Sequence, residues 1–121
     1  MFEAVGQKHW QSYFETIKNR LKPDGKAVIQ VITIENDRYL RYQNRVDFIQ
    51  KYIFPGGMLP SKQVFSDYAQ KNQLKIDDAL AFGQDYVQTM RIGQDNFVQH
   101  WYEIDSPGIY KRAYRLGLYY L

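Results

Sequence analysis

Few side chains of this 121-residue sequence stand at a spacing that is typical of a catalytic or metal site. The absence of cysteine excludes a thiolate nucleophile, a disulfide framework and a cysteine-based zinc site. The two histidines, His9 and His100, have no histidine or cysteine partner at ligand spacing, so no metal site is predicted.

The stretch KYIFPGGMLPS, residues 51–61, is the most unusual local feature. It joins core-like side chains (Tyr52, Ile53, Phe54 and Met58) to a turn made by Pro55, Gly56 and Gly57. Loops that only redirect the chain are usually polar. This loop is therefore predicted to face an apolar ligand. The alternative is a tight crossover loop that packs on the core of the protein itself.

Composition allows both interpretations. Aromatic residues make up 17% of the chain, which suits either an apolar ligand channel or an aromatic-rich core. The net charge of +3 permits an anionic lipid surface as partner. Arg38, Arg41, Arg45 and Lys51 form only a modest basic pattern, so no nucleic-acid partner is predicted. No apolar run approaches the roughly 20 residues of a membrane span, and a cytoplasmic protein is expected.

The elements that must position these residues follow from periodicity. Residues 8–21 carry an apolar stripe typical of a helix, and KPDG at 22–25 ends it. Residues 26–34 predict a strand buried on both faces, and residues 35–51 a loop that passes into a helix. Ser61 is predicted to cap the next helix. Residues 74–82 alternate like a second strand, and two further helices follow.

This pattern predicts an α/β fold with about two strands and four or five helices. A buried strand needs neighbours on both edges, or its backbone groups are left unpaired. The chain is therefore expected to be part of a larger sheet protein, or to form a homodimer through its exposed strand edges.

Five stretches occur together in a familiar order: MFEAVG, WQSYF, LKPDGKAVIQVITI, DFIQKYIFPGGMLPS and FGQDYVQTM. With them the whole chain resembles the cyclopropane-fatty-acid synthase family of S-adenosylmethionine-dependent methyltransferases, whose members include mycolic acid cyclopropane synthases. The resemblance implies the C-terminal portion, residues 1–121, of a Rossmann-like class I methyltransferase domain. The Gly-rich cofactor loop and the last strand of that domain have no counterpart here. No cofactor-binding residue is therefore expected, and the chain alone is not expected to bind S-adenosylmethionine.

The resemblance also implies a base site and an acyl channel. The family base is a bicarbonate held by Glu, His and Tyr; Glu3 and Tyr86 match the first and last, while Gln30 stands at the His position. Gln can hydrogen-bond but cannot titrate, which puts ring closure in doubt. If the resemblance is set aside, the sequence predicts a solvated carboxylate for Glu3, a core aromatic for Tyr86 and a buried amide for Gln30. The acyl channel is assigned to Phe54, Gly56, Gly57, Met58 and Leu59.

The resemblance implies a methyltransferase acting on unsaturated acyl chains of membrane phospholipids or related lipids, in the cytoplasm or peripherally at the inner membrane surface. In this interpretation the chain supplies the acyl channel and part of the base site, and it is inactive alone. The alternative is a catalytically inactive remnant that acts as a dimeric interaction or lipid-binding module.

Overall fold

The computed structural model describes residues 2–104 and 111–120. It divides into two compact units, Met1–Asp78 and Ala79–Leu121. The first unit contains the short 3-10 helices Phe2–Val5 and Gln7–His9, helices α1 (Trp10–Arg20), α2 (Asn36–Tyr42) and α3 (Lys62–Lys71), and a π-helix at Ile49–Ile53. The second contains α4 (Gly83–Gln99), α5 (Trp101–Ile104) and α6 (Lys111–Tyr120).

The core of the first unit is a cluster of aromatic rings. Phe2 and Trp10 are stacked with ring centroids 5.0 Å apart, and Phe14 meets Phe65 edge-on at 5.1 Å. Tyr68 packs at a right angle to Trp10 with centroids 5.7 Å apart. Such pairs stabilise by about 0.5–1.5 kcal/mol each beyond the area that they bury. The predicted apolar stripe of residues 8–21 is thus confirmed as the inner face of α1.

Two sequence signals mark the ends of helices as predicted. The KPDG turn closes with the Gly25 amide donating to the Lys22 carbonyl at 2.9 Å, and Asp24 takes the left-handed conformation at φ 60°. Ser61 caps α3, since its Oγ accepts from the Val64 amide at 3.2 Å. The same hydroxyl donates to Asn36 Oδ1 at 2.9 Å. Ser61 therefore joins the starts of α2 and α3.

The prediction of two strands is not confirmed within the described residues. Residues 26–33 form neither helix nor strand, and the nearest ladder contact is an isolated parallel bridge between Ile34 and Ser61. Residues 74–82 are neither helix nor strand. A strand forms only where a neighbour supplies ladder hydrogen bonds, and no described segment runs beside residues 26–33 in this way. Sequence alone does not reveal that absence.

Burial along residues 26–34 also corrects the prediction of two covered faces. Ile29 and Val31 pack against the aromatic core, whereas Val28 is fully exposed and Ile32 is half exposed. The segment therefore has one covered face and one open face. Within residues 35–51 the predicted order is reversed, because helix α2 comes first and a loop then leads to the π-helix.

The second unit is built on α4, which runs unbroken through Gly93. Its half-buried Phe97 contacts Trp101 at 5.3 Å and Tyr114 at 5.8 Å between ring centroids. The predicted final helix, residues 109–121, corresponds to α6; residues 109, 110 and 121 lie outside the described part. None of the helices in the described residues is long and apolar enough to cross a membrane.

Candidate functional site

The apolar loop that the sequence singled out is a compact turn between the π-helix and α3. The Phe54 amide donates to the Ile49 carbonyl at 2.8 Å and ends the π-helix. The Gly57 amide then donates to the Phe54 carbonyl at 3.0 Å, with Gly56 at φ 82°. Pro at the second position and a left-handed Gly at the third are typical of a type II turn. We call residues 54–59 the PGGML loop.

Side chains and backbone hold the PGGML loop from two directions. Gln50 donates from Nε2 to the Gly57 carbonyl at 3.1 Å and lies 3.7 Å from Met58 Sδ. On the other side the Met58 amide donates to the Glu3 carbonyl at 2.9 Å. Met58 is buried in the aromatic core. These bonds order the loop around a buried anchor, as expected of a preformed binding wall.

Two glycines allow the N-terminal stretch to lie against the loop. Gly6 has φ 76°, and a Cβ on it would stand 3.0 Å from the Gly56 carbonyl oxygen. A Cβ on Gly57 would meet the carbonyl oxygens of Phe54 at 3.1 Å and Glu3 at 3.3 Å. Glycine is required where backbones approach this closely. The MFEAVG and YIFPGGMLPS stretches are therefore direct neighbours.

The five predicted acyl-channel residues differ in exposure. Phe54 is 49% exposed and Gly56 is exposed, whereas Gly57 and Leu59 are half-buried and Met58 is buried. An open wall here would consist of Phe54, Gly56 and the edge of Leu59, with Met58 supporting it from the core. The role of the loop as an acyl channel stays a prediction.

The sequence of this chain matches the mycolic acid cyclopropane synthetase family over residues 1–121. It is 40% identical over 100 residues to the tuberculostearic acid methyltransferase of Mycobacterium tuberculosis, covering 82% of this chain and 23% of that protein. It is 32% identical over 121 residues to the cyclopropane-fatty-acyl-phospholipid synthase of Escherichia coli K12, covering 100% of this chain and 30% of that protein. An S-adenosylmethionine-dependent methyltransferase of M. tuberculosis is 24% identical over 104 residues, covering 78% of this chain and 36% of its own.

The chain belongs to the mycolic acid cyclopropane synthetase family. It spans between about a quarter and about a third of the length of the three relatives named above. The predicted resemblance is thereby confirmed. The relatives carry the names of methyltransferases and of a fatty-acyl-phospholipid synthase, which supports the predicted lipid methyltransferase class.

The three predicted base-site residues of this family member lie in different surroundings. Glu3 is half-buried in the first 3-10 helix. Its backbone carbonyl accepts the hydrogen bond from the Met58 amide, which places Glu3 beside the PGGML loop. Gln30 is exposed on the open face of the extended segment, so it is not the buried amide of the alternative interpretation. Tyr86 belongs to the second unit and is 45% exposed on the first turns of α4, so it is not a core aromatic. Their convergence on a bicarbonate stays a prediction.

The described residues do not fit the methyl donor. The resemblance implies that the donor is held where a strand turns through a Gly-rich loop into a helix, as in Rossmann folds that bind dinucleotides. The Gly6 turn joins two 3-10 helices, and the Gly56–Gly57 turn joins a π-helix to the cap of α3. Neither turn follows a strand.

Two tyrosines of α2, of which Tyr42 bonds to the PGGML loop, were missed by the sequence interpretation. Tyr39 is buried, its hydroxyl accepts from Gln7 Nε2 at 3.1 Å, and burial raises its pKa. Burial and the neighbouring charge of Asp47 likewise raise the pKa of Tyr42, which hydrogen-bonds with the Leu59 backbone. Tyr39 and Tyr42 are three positions apart, a helical spacing that could have identified them from the sequence as neighbours on one helix face.

Two surface grooves lie elsewhere in the first unit. One of about 470 Å³ is lined by Val5, His9, Ser12, Tyr13, Thr16 and Ile17. Another of about 380 Å³ is lined by Ser66, Gln70 and residues 73–76. Neither of these two grooves is lined by the PGGML loop.

Proposed function

We propose that this chain is part of the catalytic region of an S-adenosylmethionine-dependent methyltransferase that acts on unsaturated acyl chains of lipids, and that its PGGML loop forms a wall of the acyl-chain site. Family membership supports the reaction class. The observation that carries the acyl role is the exposure of Phe54 on a loop whose neighbour Met58 is anchored in the core and bonded to the Glu3 carbonyl.

The chemistry of an isolated alkene explains why such a wall is useful. An alkene is a weak nucleophile, and attack by an electrophile leaves positive charge on the acyl chain. A water-excluding site with aromatic faces stabilises that charge through the negative quadrupole of the ring. Phe54 supplies an aromatic face and Leu59 an apolar edge in a fixed loop. The donor is proposed to be held by residues other than these 121.

We propose Glu3 and Gln30, in the first unit, as members of a bicarbonate-holding base site; Tyr86, the third residue of the family match, stays a prediction. Glu3 is the member with structural support for a place near the acyl chain, because its carbonyl is bonded to the PGGML loop. With Gln30 at the position of a titratable His, we propose that methylation without ring closure is the main outcome. Gln does not titrate near neutral pH, so it cannot assist removal of a proton from the added methyl group, which is the step that closes the ring. The cation instead loses a proton from a neighbouring chain carbon to the bicarbonate, which leaves a methyl-branched alkene and carbonic acid.

A chimera tests the proposal. The 121 residues replace the matching 30% of the Escherichia coli synthase, and methyl transfer to unsaturated phospholipid vesicles is measured by mass increase of the acyl chains. Transfer by the chimera, and none by the synthase with that segment deleted, is the expected result. Phe54→Ser should lower turnover roughly ten-fold or more, as loss of apolar substrate contact does. Tyr102→Ser, at an 88% exposed position in the second unit, is the matched control.

Mild hydrogenation distinguishes the two possible products, a methylated alkene and a cyclopropane. Under mild conditions the alkene is reduced and the cyclopropane ring is not. The chimera should give methylated alkene, and Gln30→His should shift product toward the ring. A folded chimera that transfers no methyl group, or one in which Phe54→Ser and Tyr102→Ser behave alike, would contradict the acyl role.

A second candidate is a non-catalytic interaction module. The open face of residues 28–32, with Val28 fully exposed, favours it, because extended backbone with exposed apolar side chains invites pairing with another chain. Sedimentation of the 121-residue chain distinguishes the two states. A dimer that Val28→Lys dissociates would support this candidate, and a monomer at high concentration would count against it.

A further inference from the structure

The π-helix at Ile49–Ile53 holds both ends of the turn that begins the PGGML loop. The amide of Phe54, the first residue of the turn, donates to the Ile49 carbonyl at 2.8 Å. The carbonyl of Gly57, the last residue of the turn, accepts from Gln50 Nε2 at 3.1 Å. Because two bonds from neighbouring residues hold the turn, its direction is fixed. A single bond would leave the turn free to pivot.

The side-chain amide of Gln50 is engaged at both of its polar ends. Its Oε1 accepts from the Asp47 backbone amide at 3.2 Å, while its Nε2 donates to the Gly57 carbonyl. The Asp47 carboxylate in turn accepts from the Gln50 backbone amide at 2.8 Å. This reciprocal pair is a capping box. It leaves the Gln50 amide one orientation, because only its nitrogen donates and only its oxygen accepts.

Gln50 acts chiefly on the open side of the PGGML loop. The other side has supports of its own, since Met58 is buried in the aromatic core and its amide is bonded to the Glu3 carbonyl. Phe54 is 49% exposed and begins the turn that Gln50 holds at its far end. A change at Gln50 should therefore displace the Phe54 ring relative to the core.

We propose that Gln50 is a positioning residue, which sets where along a bound acyl chain the aromatic face of Phe54 lies and so which double-bond position is preferred. The inference rests on the proposed function and names the residue that gives its site a preference among unsaturated lipids. An acyl chain presents the same methylene group at nearly every step, so apolar contact alone does not fix its register. A displacement of about 1 Å caused far from the reacting atoms can change turnover on the order of a hundred-fold. A π-helix is rare and is often found at functional sites, as expected of such a support.

Two substitutions separate the roles of the Gln50 amide. Gln50→Glu keeps the length of the side chain and an oxygen that can accept from Asp47, but it removes the donor to the Gly57 carbonyl. Gln50→Met keeps the length, has no donor and offers only a weak acceptor. Gln70→Glu makes the first of these changes at an exposed position of α3 and is the matched control. Far-UV circular dichroism checks that each variant is folded.

Amide hydrogen exchange of the 121-residue chain tests the hold on the turn without any reaction. In both Gln50 variants the amides of Phe54 and Gly57 should exchange about five-fold faster, as expected for the loss of one hydrogen bond. The amides inside α1 should keep their rates, and Gln70→Glu should leave the turn unchanged. Unaltered exchange of the two turn amides in Gln50→Met would overturn the inference.

The chimera with the Escherichia coli synthase tests the preference itself. Turnover is compared on phosphatidylglycerol vesicles whose acyl chains carry the double bond at carbon nine or at carbon eleven. Both Gln50 variants should change the ratio of the two rates by about three-fold or more, and Gln70→Glu should not. A purely structural role would lower both rates together, so an unchanged ratio in active Gln50 variants overturns this inference alone. An unsubstituted chimera that is inactive on both lipids would contradict the proposed function and the inference with it.

Discussion

The two units of this chain differ in how far their own residues complete their packing. In the first unit Phe2, Trp10 and Phe14 are entirely buried among other aromatic rings. In the second, no residue whose burial the structure describes (79–104, 114–118 and 120) is fully buried, although α4 runs for 17 residues. In the second unit, a regular helix thus forms without fully buried side chains among those described. In the first unit, the ordered PGGML loop lies beside a fully buried aromatic core.

The largest expected difference between the units comes from equivalent truncations of two phenylalanines. Phe14→Ala should cost about 3–5 kcal/mol in the free energy of unfolding, because it opens a cavity among Phe2, Phe65 and Tyr68. Phe97→Ala, at a half-buried position, should cost clearly less. Urea denaturation measures both. Equal losses would show that the second unit has a core as complete as the first.

Glycine substitutions make a sharper test of the contact between the N-terminal stretch and the loop. Gly6→Ala forces Cβ against a backbone oxygen at positive φ and should cost about 1–3 kcal/mol. In the second unit a Cβ on Gly117 would lie 2.5 Å from Phe97 Cζ. This clash is with the far end of a half-buried side chain and not with backbone, so Gly117→Ala should cost less. Gly83→Ala meets nothing within 4 Å and is the neutral control. Thermal unfolding ranks the three, and Gly117→Ala costing more than Gly6→Ala would reverse the comparison.

The cap between α2 and α3 should give an intermediate effect. Ser61→Ala removes the bond to the Val64 amide and the bond to Asn36 Oδ1, at a cost of about 1–2 kcal/mol. Ser12→Ala, exposed on α1, should change stability little. Chemical denaturation of both variants provides the check. A Ser61 variant as stable as the Ser12 variant would mean that the first unit does not depend on this junction.

The smallest predicted effect is a pH dependence confined to the first unit. Burial raises the pKa of Tyr39, so the folded state holds this proton more tightly than the unfolded chain does. The stabilisation is complete below about pH 10 and is lost as the pH rises through the folded pKa. Tyr39→Phe should flatten the fall of the unfolding midpoint above pH 10, while Tyr102→Phe should leave it unchanged. An unaltered slope in the Tyr39 variant would contradict the assignment.

Local signals predicted the helices and their ends better than the strands. The apolar stripe of α1, the KPDG turn and the Ser61 cap depend on residues within a few positions of each other, and all three are confirmed. The strand predicted at 26–34 depends on ladder partners distant in sequence. Its covered face, Ile29 and Val31, and its open face, Val28 and Ile32, follow from tertiary packing that periodicity does not encode.

The candidate site shows the same limit. The apolar loop and its glycines were identified from sequence, because PGG has a distinctive turn chemistry. The bond from the Met58 amide to the Glu3 carbonyl joins residues far apart in the chain and leaves no local pattern. Gln50 and Tyr42, which hold the loop from its own side, were read as parts of an ordinary helix.

Residue-resolved amide hydrogen exchange of the 121-residue chain tests most directly whether the first unit alone carries an ordered site loop. We predict that the Met58 amide exchanges as slowly as the amides inside α1 and α3, and that the amides along α4 exchange much faster. A Met58 amide that exchanges at the rate of an exposed loop, or α4 amides as protected as those of α1, would contradict it.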